Sequence, residues 1–207
     1  MSNMLTFHGD MVDLAAPDAA IIRLETIACH LGSINRFSGA TRRPAGPDTF
    51  ERRPYSVAEH SLLALEIAEA MYGTTDPAAR LAVLMHDGHE AYLNDSTQPY
   101  KSALRMLGGA SAAEYLDRSW YRALGRKFGI LTAQTSCARL IHACDMVALA
   151  TEKRDLLPPH TYSWPCLDGF EPAAWVNLIE RDPHEDYSQQ FFDAAESLLA
   201  EIADRHH

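Results

Sequence analysis

Apolar residues along this chain recur mostly at helical spacing. Residues 18–31 (DAAIIRLETIACHL) set Ile21, Ile22, Leu24, Ile27, Ala28 and Leu31 on one broad stripe, which predicts an amphipathic helix. Ser56 opens SVAE, a capping-box signature, ahead of the apolar run EHSLLALEIAEAMYG. Asp76-Pro77 couples an N-cap to a proline at the first helical position. It opens AARLAVLMHDGHEAYL, which reads as one buried helix. A short helix is predicted after Pro99 to about Leu107, followed by a Gly-Gly break. Ser111 then starts a helix that Gly129 can stop. Residues 134–156 read as one long helix ended by Pro158-Pro159, with further helices near 173–180 and 184–204. The stretches 38–54 and 158–171 read as loops, the first rich in Gly, Pro and Arg, and LTFHGDMVDL near the start has room for a small hairpin. Alternating runs are few and there is no internal repeat. The expected fold is an all-α helical bundle, a single domain over residues 1–207 with its core about 18–156 and C-terminal helices 172–204 packed on it.

Composition narrows the function classes. The chain has 207 residues, 47% of them hydrophobic, enough for a substantial core. Its 18 basic and 28 acidic residues leave a net charge of −10, which argues against nucleic-acid and non-specific membrane binding. A small anionic ligand stays open, because a bound cation can reverse the sign inside one pocket. Cys29, Cys137, Cys144 and Cys166 are scattered without a C-x-x-C, so neither a zinc ribbon nor a thioredoxin-like site is expected. No basic-then-apolar start and no apolar run of about 18 residues occur, so neither a signal peptide nor a spanning helix is expected. A cytoplasmic location is the simplest expectation. His206 and His207 receive no role.

The chemistry concentrates where polar residues interrupt apolar runs. LMHDGHEAYLND (84–95) holds two His, two Asp and one Glu among core-type residues. A buried, unpaired carboxylate is very costly, and a divalent cation neutralises it directly. His60, in YSVAEHSLLAL, and Asp145, in LIHACDMVALA, are likewise polar residues in apolar runs. Each alone more often is a hydrogen-bonded core or surface residue. Together, His60, His86, Asp87 and Asp145 make a two-His, two-Asp ligand set drawn from three helices. Mixed imidazole and carboxylate ligands suit Mn, Co or Zn first, with Fe or Mg as alternatives.

The order H…HD…D, as His60, His86-Asp87 and Asp145, resembles the HD-domain metal-dependent phosphohydrolases. The flanks NRFSG (35–39), YSVAEHS (55–61), HDGHEAYLND (86–95) and CDMVALATE (144–152) look like the branch containing bacterial 5′-deoxynucleotidases. The resemblance runs from about residue 10 to 156, and the stretch 42–53 is longer than in most relatives. It implies an HD-domain helical bundle holding one divalent metal ion and hydrolysing 5′-(deoxy)nucleoside monophosphates to nucleoside and phosphate. It also implies roles: Glu90 as general acid or support for the attacking water, Asp95 beside the scissile phosphate, and Arg36 on the phosphate. Phe37 would meet the sugar, where relatives often carry Trp. Ser96, Thr97, Gln98 and Lys101 would add substrate contacts. His89 and His142 are possible partners of the ligands. Arg42, Arg43, Arg52 and Arg53 either guide a polyphosphate or stand in solvent. Two alternatives remain: a deoxynucleoside triphosphate triphosphohydrolase, and a non-catalytic HD module used for signalling or binding. The resemblance further implies a homo-oligomer, a dimer or larger.

Overall fold

The structure is a computed structural model that describes residues 2–205; His206 and His207 lie outside the described residues. It is mainly α. In chain order the elements are β1 (Asn3–Leu5), β2 (Met11–Asp13), α1 (Leu24–Ser33), β3 (Arg42–Gly46), β4 (Thr49–Arg52), α2 (Val57–Ala70) and α3 (Pro77–Leu84). There follow α4 (Glu90–Leu93), α5 (Gln98–Met106), α6 (Ala110–Lys127), α7 (Leu131–Ser136), α8 (Ala138–Leu156) and α9 (Tyr187–Asp204). Two antiparallel hairpins, β1–β2 and β3–β4, are the sheets among the described residues. Among those residues no helix is long and apolar enough to cross a membrane.

Helix α2 is the axis of the bundle. Val57, Ala58, Leu63, Ala64, Leu65, Ile67 and Ala68 are buried around most of its circumference, leaving a narrow outer edge at Leu62, Glu66, Glu69 and Ala70. It packs against α8, α3, α9 and α1. Its start is fixed by Ser56, whose side chain accepts the Glu59 N–H at 3.1 Å. The Glu59 carboxylate does not complete the capping box. It takes two bonds from the buried Arg53 guanidinium, at 2.6 and 2.7 Å. Asp76 caps α3 as its sequence predicts, accepting from Ala79 N–H at 2.9 Å, with Pro77 behind it.

Five sequence expectations change. The helix read as continuous over 134–156 is interrupted at Cys137, which separates α7 from α8. The segment read as one helix from 77 to 93 breaks after Leu84, and Met85–His89 form turns before α4. Gly88 permits the break: a Cβ there would lie 3.1 Å from the Met85 carbonyl oxygen and 3.3 Å from Leu124 Cδ1. His86 and Asp87 therefore sit in a buried turn rather than mid-helix. Residues 42–52, read as loop, form the β3–β4 hairpin with a register shift between Pro44 and Gly46. The helix begun at 18 starts only at Leu24, since Asp18 turns the chain by accepting the Ala20 N–H at 2.9 Å. No helix forms at 173–180, where turns run instead; the backbone is held by Arg154, which donates to the carbonyls of Ala173 and Val176. The small N-terminal hairpin is present as β1–β2.

Helix α9 packs across α1 and α3 and buries Phe191, Ala195 and Leu198. Gly32 makes the α1–α9 approach possible: a Cβ there would fall 1.8 Å from Ser188 Oγ and 3.0 Å from Ser188 Cβ. Gly32→Ala is expected to lower stability by about 1–3 kcal/mol, as overpacking does. Adding Ser188→Gly should recover part of that loss, and thermal melts of the two single variants and the double variant check it.

Candidate metal centre

Three elements bring the site together. His60 lies in the second turn of α2, His86 and Asp87 in the turn after α3, and Asp145 on α8. The Nε2 atoms of His60 and His86 face each other at 3.1 Å. Asp145 Oδ1 stands 3.3 Å from His60 Nε2 and 3.8 Å from His86 Nε2. Asp87 Oδ2 stands 3.3 Å from His86 Nε2 and 3.6 Å from His60 Nε2. One ligand atom each from His60, His86 and Asp145 lies within 4.8 Å of the others, a group that can bind a metal ion. Ligands at about 2.1 Å from a common ion sit roughly 3–3.5 Å apart; the 3.1 and 3.3 Å spacings fall in that range and those of 3.6 and 3.8 Å are slightly longer.

The far sides of both imidazoles are already used. His86 Nδ1 is 2.8 Å from the Val83 carbonyl, which can only accept, so this nitrogen carries a proton. His60 Nδ1 is 2.5 Å from Glu152 Oε1 and donates to that carboxylate. In their neutral forms both rings then point an Nε2 lone pair into the same space. Two lone pairs at 3.1 Å repel unless positive charge stands between them. The pKa directions agree. Burial pushes the His86 imidazole down, but Asp87 and Asp145 overrule it and hold it well above its ordinary value. Burial and Arg36 push His60 down, and Glu152 and Asp145 raise it above its ordinary value. Asp87 and Asp145 resist burial through the imidazoles, and both stay well below the usual carboxylate range.

Glu152 is the residue of the candidate site that the sequence reading missed. It is fully buried, orients His60, and pairs with Arg36 at 3.3 Å. Its signal was available: Glu152 is seven residues after Asp145, two helical turns on, and so on the same face of α8. Burial pushes its carboxyl up, while Arg36 and His60 pull it below its ordinary value.

The remaining expected residues fall in different places. Arg36, expected on a phosphate, is a buried strut between Glu152 and Asp87, reaching Asp87 Oδ2 at 3.3 Å. Glu90 is buried, and its Oε2 has no hydrogen-bond partner. Burial, then Asp87 and Asp95, push its carboxyl well above the ordinary range. Asp95 is half-buried and pushed up by burial and by Asp87, against Arg36. Ser96 and Thr97 are half-buried, and Gln98 is exposed at the start of α5. Lys101 is held by Asp117 at 3.4 Å. Phe37 is half-buried and packs against Trp164 of the 158–171 segment, ring centroids 6.5 Å apart. His142 is exposed against Phe170 and does not orient Asp145. His89 is packed edge-on to Tyr121.

Backbone strain brackets this site. Phe37, Ser38 and Asn94 are the non-glycine residues with positive φ among the described residues, at 53°, 53° and 63°. They adjoin Arg36 on one side and Asp95 on the other. Such conformations cost about 1–3 kcal/mol each and persist only where the surroundings enforce them.

No family model matches the chain. It is 27% identical over 199 residues to the uncharacterized protein YfdR of Escherichia coli (strain K12), covering 95% of this chain and 97% of that one. It is 32% identical over 153 residues to the uncharacterized protein RCAP_rcc00048 of Rhodobacter capsulatus, covering 72% of this chain and 69% of that protein. The chain belongs to the family of that Rhodobacter protein. Both relatives are themselves uncharacterized, so the family has its chemistry to be read from side chains.

Glu152→Gln keeps an acceptor for His60 but removes its charge. Divalent-metal affinity is expected to fall about 10–100-fold, the usual cost of losing a group that orients a metal-binding histidine. Metal titration of the purified variant checks this, with circular dichroism reporting that the helices persist; unchanged affinity would contradict the role of Glu152.

Proposed function

We propose that this chain is a metal-dependent phosphohydrolase of the HD-domain type, which hydrolyses 5′-nucleotides at the phosphate ester. The reading is carried by one observation: two imidazoles pinned through Nδ1 so that both Nε2 atoms converge on the carboxylates of Asp87 and Asp145. His60, His86, Asp87 and Asp145 would hold the ion, with Mn, Co or Zn suited to that ligand set. When bound, such an ion polarises a phosphoryl oxygen and lowers the pKa of water.

The chain's own groups then divide the proton work. Hydrolysis joins a water oxygen to phosphorus and breaks the bond from phosphorus to the sugar oxygen. The water must lose a proton and the leaving oxygen must gain one. Glu90, whose carboxyl stays protonated to unusually high pH, serves as donor to the leaving oxygen. Asp95, half-buried and less strongly raised, accepts from the water. Arg36 holds Asp87 and Glu152 in place and sets a permanent positive charge beside the phosphate. Phe37 and Trp164 supply the flat rim against which a nucleoside can lie.

The deciding experiment is a product-resolved screen of common nucleotides with Mn, Co, Zn and Mg. Inorganic phosphate from a deoxynucleoside monophosphate is the expected result, with loss of both metal uptake and turnover in His86→Ala. The proposal fails if no nucleotide is hydrolysed with any of these metals, or if His86→Ala works at the parent rate. Glu90→Gln should lower kcat about 10²–10⁴-fold, the range for removing a general acid.

Glu90 also yields a stability prediction of definite sign. The unfolded chain ionises this carboxyl near its ordinary value, the folded chain only at much higher pH. Folding stability therefore falls as pH rises through that window, because the folded state holds the extra proton. Glu90→Gln removes this group's share of the dependence, while His60, His86 and Asp95, also raised, keep theirs. Between about pH 5 and about pH 8, melting temperatures of the metal-free protein should drop less in Glu90→Gln than in the parent.

A further inference from the structure

We propose that the cleft between the last turns of α8 and the proline-rich segment 158–172 is a binding site for a small, flat aromatic carboxylate. It lies on another face of α8 from the metal centre and stands whether or not that centre hydrolyses nucleotides.

The cleft measures about 380 Å³, within the range of small-molecule sites. Leu157, Leu167 and Phe170, with Pro158, Pro159 and Pro172, give it apolar walls. On α8 it is lined by Ala150, Lys153, Arg154 and Leu157. At about 100° per residue these positions centre roughly 140° round the helix from Asp145 and Glu152.

Two polar groups in the cleft lack partners. His160 Nδ1 is buried and has no hydrogen-bond partner among the described residues. The Lys153 ammonium lies 5.1 Å from the centre of the Trp164 ring and makes no ion pair among those residues. Its neighbour Arg154 is committed: it pairs with Asp155 and donates to the carbonyls of Ala173 and Val176. Lys153 is therefore the unneutralised cation of this lining. The dipole of α8 favours cations in its last turn, which accounts for a lysine there. It does not account for the nitrogen of His160, since a buried polar atom left unpaired is costly.

The walls are stiff before any ligand arrives. Pro158, Pro159, Pro165 and Pro172 each fix φ within one short segment. The bonds from Arg154 hold the far end of that segment. Trp164 fastens its middle by stacking on His160, with centroids 5.6 Å apart and planes at 26°, and by packing on Phe37. A preformed site spends little ordering entropy on binding. An apolar slot with one ammonium and one imidazole nitrogen calls for an apolar body bearing one anionic group. A carboxylate would accept from Lys153 Nζ and from His160 Nδ1–H, both charge-assisted bonds. The flat ring of His160 and the proline rings suit an aromatic body.

The test is ligand-observed NMR on the full-length protein with 2-naphthoate as probe. Naphthalene-2-carboxamide, cyclohexanecarboxylate and orthophosphate are the comparisons. The parent should bind 2-naphthoate with a Kd of about 1 mM or tighter, and more tightly than the other three. Lys153→Met keeps the apolar stem and removes the charge. It should weaken 2-naphthoate about 10-fold and change the carboxamide by no more than about 2-fold. His160→Phe keeps a flat ring without the nitrogens and should weaken 2-naphthoate about 3–10-fold. Binding should be equal with and without added Mn. No binding at about 10 mM probe, or equal binding by the parent and Lys153→Met, overturns the site. Equal affinity for the carboxylate and the carboxamide overturns anion recognition, and cyclohexanecarboxylate binding as tightly overturns the aromatic assignment. Binding that requires Mn would put the carboxylate on the metal centre instead and overturn the proposal.

Discussion

The constraint on which the site depends is a buried charge imbalance. Asp87, Asp145 and Glu152 are held ionised, and Arg36 is the one guanidinium among them. Three negative charges against one positive leave the cluster two charges short of neutrality while the imidazoles are neutral. Two protons on His60 and His86 would close the gap, and so would one divalent cation. Only the cation also satisfies both Nε2 lone pairs without setting two imidazolium ions at 3.1 Å. Metal binding here would follow from how these charges are buried. Because a metal-filled site adds its binding energy to the folded state alone, occupancy and stability are coupled.

The same constraint explains what could be read from the chain in advance. His60, His86, Asp87 and Asp145 stand out because each interrupts an apolar run, and polar residues in such runs need a reason to be buried. Ser56 and Asp76 stand out because capping is local chemistry. Spacing on α8 places Glu152 on the face of Asp145, but its partner comes from α2 nearly a hundred residues earlier, and only the fold shows that pairing. Arg36 was expected on a phosphate because the resemblance implied it; its burial between two carboxylates is a tertiary fact. The β3–β4 hairpin was hidden because Pro44, Gly46 and its arginines read as loop, and only pairing with β4 gives them a register. The break at Met85–His89 was hidden because a helical pattern tolerates one glycine, and the packing of Gly88 under Leu124 decides otherwise.

Stability has been traded for geometry at the two edges of the site. Phe37 and Ser38 hold the left-handed region with ordinary side chains, where glycine would cost less. Asn94 does the same one residue before Asp95. Glu90 keeps an unpartnered oxygen in the interior, a penalty that an apolar residue would avoid. None of these features helps the chain fold. They cluster around the group that could hold a metal ion, and proteins tend to concentrate tolerated strain where function needs it.

The C-terminal part of the chain belongs to this arrangement rather than being appended to it. Helix α9 packs on α1 and α3, and these two helices lead directly to Arg36 and to His86. Seating Phe191 and Leu198 in the core therefore sets the angle at which both approach the pocket. Trp164, from the segment between α8 and α9, reaches back to Phe37 and is itself covered by Lys153 at 5.1 Å and stacked on His160. The match to YfdR runs through this region as well, covering 95% of the chain. Phe37 and Trp164 thus join two segments more than a hundred residues apart in sequence, and α9, by packing on α1, helps set where the Phe37 side of that contact lies.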